Sequence, residues 1–376
     1  MVADLTALLD SYITRRLVVK IGSALLVEEG APRIDWLASL IADLAEARGR
    51  GCEIIIVSSG AIALGAERLG LPGGGRASLV DAQAAASVGQ VALAQLWAQA
   101  LDAHGLTAAQ MLVTLGDLED RRRYLNASAT LDRLIAAGAV PVVNENDSVA
   151  TEEIRFGDND RLAARVAQAA NASGVLLLSD VAGLYDRDPS DDAATLIERV
   201  EGVTPDVVAM AGEGSGSGLG SGGMRAKLQA AQIAERAGVT LGIIDGRAHH
   251  PLARMRETGR GTVFIPVRRD TARKAWLGGR LATEGALTVD AGCAKALAAG
   301  GASLLAAGIT EVAGEFQRGA LVGLYGPKGE RLGQGLVEYS AAECRAIQGK
   351  REGEQEAKLG YAPRAAVVHR NHMVQG

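Results

Sequence analysis

Residues 17–23 read Leu17-Val18-Val19-Lys20-Ile21-Gly22-Ser23. The run is apolar at successive positions, broken only by Lys20, where a strand with one wet face would alternate. That pattern predicts a parallel strand covered on both faces, ending in a lysine and a glycine turn. The same texture recurs at Glu53–Val57, Val140–Val143, Val175–Leu178 and Thr240–Ile244. Between these runs lie Ala/Leu/Glu/Arg stretches at Ile34–Arg50, Leu79–His104, Ala127–Ala137 and Arg161–Ala170. Strand–helix alternation of this kind predicts an α/β fold: an open, mostly parallel sheet sandwiched by helices.

Past Pro266 the texture changes. Residues 266–283 are polar and arginine-rich and read as a linker. Beyond it, glycines divide short strand-like pieces at Ala286–Val289, Ser303–Leu305, Leu321–Leu324, Leu332–Val337 and Ala365–His369. Frequent turn signals predict a small β-barrel-like module. The expected organisation is a first domain over 15–265, the linker, a second domain over 284–362 and a tail over 363–376. A chain of 376 residues fits two or three domains at roughly 150 residues each.

Composition excludes several classes. With 48% hydrophobic residues the chain can bury a core and is no disordered polymer. A net charge of −5 supplies no basic field for nucleic acid or an acidic membrane, and no apolar run reaches the ~18 residues of a membrane span. Three scattered cysteines, Cys52, Cys293 and Cys344, form no CxxC pair, so a reducing, cytoplasmic setting is expected. Aromatic residues make up 3% of the chain, which implies an aliphatic core, while 48 glycines must be placed in loops.

Five segments carry the candidate chemistry. Lys20-Ile21-Gly22-Ser23 offers a cation and backbone N–H groups to an anion, although a strand-end lysine can also face solvent. Ser58-Ser59-Gly60-Ala61-Ile62 suits either an anion at a helix N-terminus or a plain serine cap. Asn144-Glu145-Asn146-Asp147 and Asp158-Asn159-Asp160 concentrate amides and carboxylates where an open α/β sheet binds ligands, at a strand's carboxyl end; solvated turns share that composition. Ser179-Asp180 ends another apolar run and turns through Gly183. Finally, Gly212–Gly223 resembles a linker but runs directly into Met224-Arg225-Ala226-Lys227, a glycine loop at a helix start with a lysine one turn in. That register favours a phosphate cradle. The pairs His249/His250 and His369/His372 lack a third ligand at metal spacing, so no metal site is read.

At these residues the chain resembles the amino acid kinase family. The likeness is carried by VVKIGS (Val18–Ser23), SSGAI (Ser58–Ile62), SDVAGLYDRDP (Ser179–Pro189) and the glycine loop with Met224 and Lys227. VPVVNENDSVAT (Val140–Thr151), FGDND (Phe156–Asp160) and GSGLGSGGMRAKLQAA (Gly216–Ala231) resemble its glutamate 5-kinase branch, and the C-terminal module resembles a PUA domain. The resemblance implies ATP-dependent phosphorylation of the L-glutamate side-chain carboxylate, the entry step to proline, with ATP and Mg²⁺. It implies catalytic roles for Lys20, Lys227 and Asp160, and glutamate binding by Ser59, Asp147 and Asn159. ATP would be held by Lys20, Ser179, Asp180, Ser221, Gly222, Gly223, Met224, Arg225, Ala226 and Lys227. Ser221 stands where the family often has threonine. The resemblance further implies a homo-oligomer, dimer or tetramer, and proline as feedback inhibitor. The absence of a catalytic His or Cys suits this chemistry, since a carboxylate nucleophile is already ionised at neutral pH. The competing readings are another substrate on the same fold, or RNA binding through the PUA-like module. Its 11 basic and 10 acidic residues after position 275 give little electrostatic support to the latter.

Overall fold

The computed structural model describes residues 4–149, 158–210, 223–267, 283–364 and 366–375. The chain divides into two compact units, residues 1–269 and 270–376.

The first unit is built on an eight-stranded sheet. Its strands are β1 (Arg16–Ile21), β2 (Glu53–Ser58), β3 (Ala108–Val113), β4 (Val140–Glu145), β5 (Gly174–Ser179), β6 (Arg199–Glu201), β7 (Thr240–Asp245) and β8 (Thr262–Ile265). The spatial order is β6–β8–β7–β5–β1–β2–β4–β3. Six neighbouring strands from β7 to β3 run parallel, and β8 turns antiparallel to β7. All five expected strands are present, each extended by one or two residues. The unforeseen β3 reads Ala-Ala-Gln-Met-Leu-Val, poor in β-branched residues and only partly buried, as an edge strand permits.

The longer helices among the described residues are α1 (Ile34–Gly49), α2 (Ala61–Leu69), α3 (Leu79–Asp102), α4 (Arg121–Ala136), α5 (Asp158–Ala169), α6 (Met224–Ala237) and α7 (Pro251–Thr258). The helix expected from Ala127 begins at Arg121, because Asp120 caps it by accepting the Arg123 N–H. Alternation along β1 decides which helices each side chain meets. Leu17, Val19 and Ile21 join the main apolar core with Trp36, Leu40 and Ile41 of α1. Val18 and Lys20 therefore share the opposite face, toward α5 and α6. The unit also begins earlier than position 15: Leu5 and Leu8 of an N-terminal turn are buried in the same core.

The second unit has its own core around Leu287, Val322, Leu324, Tyr339 and Ile347. The expected glycine-punctuated β module is a five-stranded mixed sheet of β9 (Gly285–Val289), β10 (Ile309–Gly314), β11 (Leu321–Tyr325), β12 (Arg331–Val337) and β13 (Val368–Gln375), ordered β10–β9–β11–β12–β13. Two expectations are corrected. Residues 363–376 are no tail, since β13 hydrogen-bonds antiparallel to β12, with Val367 and Val368 buried in the core. The piece Ser303–Leu305 makes only a single bridge, from Leu304 to Val368.

Candidate active site

The parallel sheet brings the polar strand ends into one row. Because β5, β1, β2 and β4 are successive neighbours, Ser179, Lys20, Ser59 and the Asn144–Asp147 turn follow one another along the carboxyl edge. Three strand spacings of ~4.8 Å make that row about 15 Å long.

At its centre, three charged groups from three elements converge in the interior. Lys20 Nζ lies 2.6 Å from Asp160 Oδ1, and Lys227 Nζ lies 3.2 Å from Asp160 Oδ2. Asp160 is fully buried, and the two lysines are 7% and 6% exposed. Asp160 stands in the first turn of α5, which packs on β1, and Lys227 in the first turn of α6, which packs on α5 and β7. Burial would raise the Asp160 pKa, but the two ammonium groups outweigh it and hold the carboxyl below its ordinary value. Burial pushes the Lys20 pKa down, Asp160 opposes that, and the second ammonium of Lys227 adds to the fall. Two ammonium groups and one carboxylate leave this trio at +1, a buried positive centre suited to a phosphoryl group.

Beside it, Ser59 and Asn159 meet. Asn159 Nδ2 donates to Ser59 Oγ at 2.6 Å, while the Asn159 Oδ1 is buried with no donor. Such an orphan acceptor is costly unless a ligand brings an N–H. Ser59 is fixed in turn: its N–H donates to the Ile21 carbonyl, and the preceding Ser58 hydroxyl accepts from Trp97 Nε1. Gly60, at φ +117°, starts α2 from a left-handed conformation that other residues enter at a cost.

Asp147 lies in the turn after β4 and lines a cleft of about 480 Å³ with Gln90, Glu145 and Ser148. Asn144, 2% exposed, donates to Gln90 Oε1 at 2.7 Å and accepts the Glu145 N–H through its own Oδ1. Gln90 was missed by sequence reasoning, since its helix also carries Gln83, Gln95 and Gln99 and the pattern singles out none of them. At the other end of the row, the Ser179 hydroxyl donates to Asp180 Oδ1, and a second cleft of about 610 Å³ opens there between Asp180, Tyr185, Asp245 and Arg254.

The structure thus brings together Lys20, Asp160, Lys227, Ser59 and Asn159, and puts Ser179–Asp180 and Asp147 on either side. Gly223, Met224, Arg225 and Ala226 form the start of α6 leading to Lys227. Ser221 and Gly222, with the rest of Gly212–Gly222, lie outside the described residues, as do Phe156 and Gly157. Gly183, just past Ser179–Asp180, packs closely on β8: a Cβ there would come 2.3 Å from Thr262 Oγ1. Among the described residues no three His, Cys, Asp or Glu side chains cluster as a metal cage, and no helix is long and apolar enough to cross a membrane.

A parallel α/β sheet whose carboxyl edge holds two buried lysines on one carboxylate defines a phosphotransferase of the α/β-sandwich class. The chain belongs to the amino acid kinase family: that family's sequence model matches residues 15–245, and the PUA domain model matches residues 285–359. It is 62% identical over 374 residues to a protein named glutamate 5-kinase from Novosphingobium aromaticivorans, covering 99% of both chains. A protein of the same name from Sphingopyxis alaskensis is 62% identical, covering 96% of this chain and 97% of its own. Another from Zymomonas mobilis is 53% identical, with 96% and 91% covered.

Proposed function

We propose that the chain transfers the γ-phosphoryl group of ATP to the side-chain carboxylate of L-glutamate, giving ADP and L-glutamyl 5-phosphate, the first step toward proline. The buried Lys20–Asp160–Lys227 trio carries this reading. A glutamate carboxylate, ionised above a pKa of ~4.3, attacks the γ-phosphorus directly, so no general base is needed. Lys20 and Lys227 neutralise the charge spread over the transferring oxygens, and Asp160 keeps both ammonium groups aimed at one point. Mg²⁺ accompanying ATP would add positive charge at the phosphate oxygens.

The row along the sheet edge orders the two substrates. Glutamate occupies the Ser59, Asn159 and Asp147 side, where the orphan Asn159 Oδ1 accepts from its α-ammonium. The nucleotide occupies the Ser179–Asp180 side and the start of α6. As part of the same proposal, supported by the resemblance of the chain, the enzyme is a cytoplasmic dimer or tetramer inhibited by proline.

The test is ADP release with MgATP across a panel of amino acids. L-glutamate alone should support turnover, and Lys227→Ala should lower it at least ~100-fold, the scale for removing one transition-state charge contact. No glutamate-dependent ADP, or equal turnover with aspartate, would refute the reading.

A further inference from the structure

The segment from Gly246 to Ala253 joins the end of β7 to the first turn of α7. Its outer side borders the cleft beside Asp180, which Arg247, Ala248, Pro251 and Arg254 help to line. The Gly246 N–H donates to the Ser179 carbonyl at 2.8 Å, so this wall starts at the nucleotide side of the row. Yet α7 has no cap of its own. His250, the residue before it, sits at φ +53° and makes no side-chain cap bond, and Pro251 brings no N–H. Leu252 and Ala253 therefore need an acceptor from another part of the chain.

A buried face of α1 supplies it. Trp36, Ser39 and Asp43 follow one another at spacings of three and four residues, on one side of that helix. Trp36 Nε1 donates to the Gly246 carbonyl at 2.8 Å and to the Ala248 carbonyl at 3.2 Å. Ser39 Oγ accepts the His250 N–H at 3.0 Å. Asp43 Oδ2 accepts the Leu252 and Ala253 N–H groups at 2.9 and 3.1 Å, and its Oδ1 lies 2.8 Å from His250 Nδ1. Asp43 is 6% exposed. A carboxylate buried that deeply is tolerable because these donors and the positive end of α7 face it. Aliphatic side chains at the three positions would bury the segment equally well. Polar ones, each ending on its backbone, also fix where it lies.

We propose that Asp43 is a positioning residue for the nucleotide: it holds the first turn of α7, and with it Pro251 and Arg254, as one wall of the ATP cleft. The proposal rests on the nucleotide placement given above. Asp43 lines neither cleft and acts only through the backbone of residues 250–253. Losing its oxygens displaces that wall and leaves Ser59, Asn159 and Asp147, farther along the row, in place.

The test uses the full-length protein and its Asp43→Asn, Asp43→Ala and Ser39→Ala variants. It reads KM for MgATP and for L-glutamate, and the Kd of MgADP by calorimetry with no amino acid present. Asp43→Ala should raise the ATP KM and the ADP Kd together, ~10- to 50-fold, with the glutamate KM within twofold. Asp43→Asn keeps an oxygen for Leu252 and Ala253 and should recover most of that loss. Ser39→Ala removes one acceptor and should raise both constants ~2- to 5-fold, which decides the matter if Asp43→Ala does not fold. A purely structural Asp43 would lower the melting temperature and leave the nucleotide constants unchanged. That result, or an equal rise in both KM values, overturns the proposal. A wild type that binds MgADP without glutamate-dependent turnover refutes the proposed reaction and leaves Asp43 to be judged on Kd; one that binds no MgADP overturns both.

Discussion

Lys20 shows how a single side chain is governed by its surroundings. Its position on β1 puts it on the face covered by α5 and α6, where burial lowers its pKa below the ordinary 10.5 despite Asp160. The proposed role needs the protonated amine, so activity is retained below the folded pKa and lost as pH rises through it. An alkaline limb in kcat/KM with its midpoint below 10.5 is expected, read from initial rates at low substrate across pH. A midpoint at or above 10.5 would contradict the burial. At this scale the residue types of the site were readable in the sequence: Lys20, Asp160 and Lys227 each follow an apolar run or open a helix. The Asn159–Ser59 bond, across 100 residues of chain, was not.

Among the elements, α2 and α3 cross at closest range. A Cβ on Gly65 would fall 1.8 Å from the Ala85 carbonyl oxygen, and one on Gly89 would fall 1.7 Å from the Ala61 oxygen. The helices therefore meet backbone to backbone, and that crossing supports Ser59–Gly60 at the start of α2 and Gln90 on α3. Gly65→Ala must separate them. The expected loss is ~1–3 kcal/mol of stability in denaturant titration, with the glutamate KM rising more than the ATP KM. A stability change within ~0.5 kcal/mol would show that the crossing yields freely. The five buried parallel strands were legible because burial on both faces leaves an unbroken aliphatic run. The edge strand β3 and the antiparallel β8 were not, because an edge tolerates mixed residues and direction is set by the partner strand.

For the whole molecule, two separate cores predict separable responses. Leu324 is fully buried in the second unit, so Leu324→Ala should cost about 2–5 kcal/mol there. Calorimetry should show one transition displaced, while the KM values for glutamate and ATP stay within twofold; a matching loss of substrate affinity would mean that the second core supports the site. The aliphatic runs determined by themselves that five strands would lie parallel under helices, and the polar strand ends marked the sheet edge where the candidate site lies. The order of strands was decided only in three dimensions, and with it the row from Ser179 through Lys20 and Ser59 to Asp147. So was the pairing of two distant lysines on Asp160. Local pattern reports whether a side chain is buried, whereas a charge can be buried only beside the partner that tertiary packing brings to it.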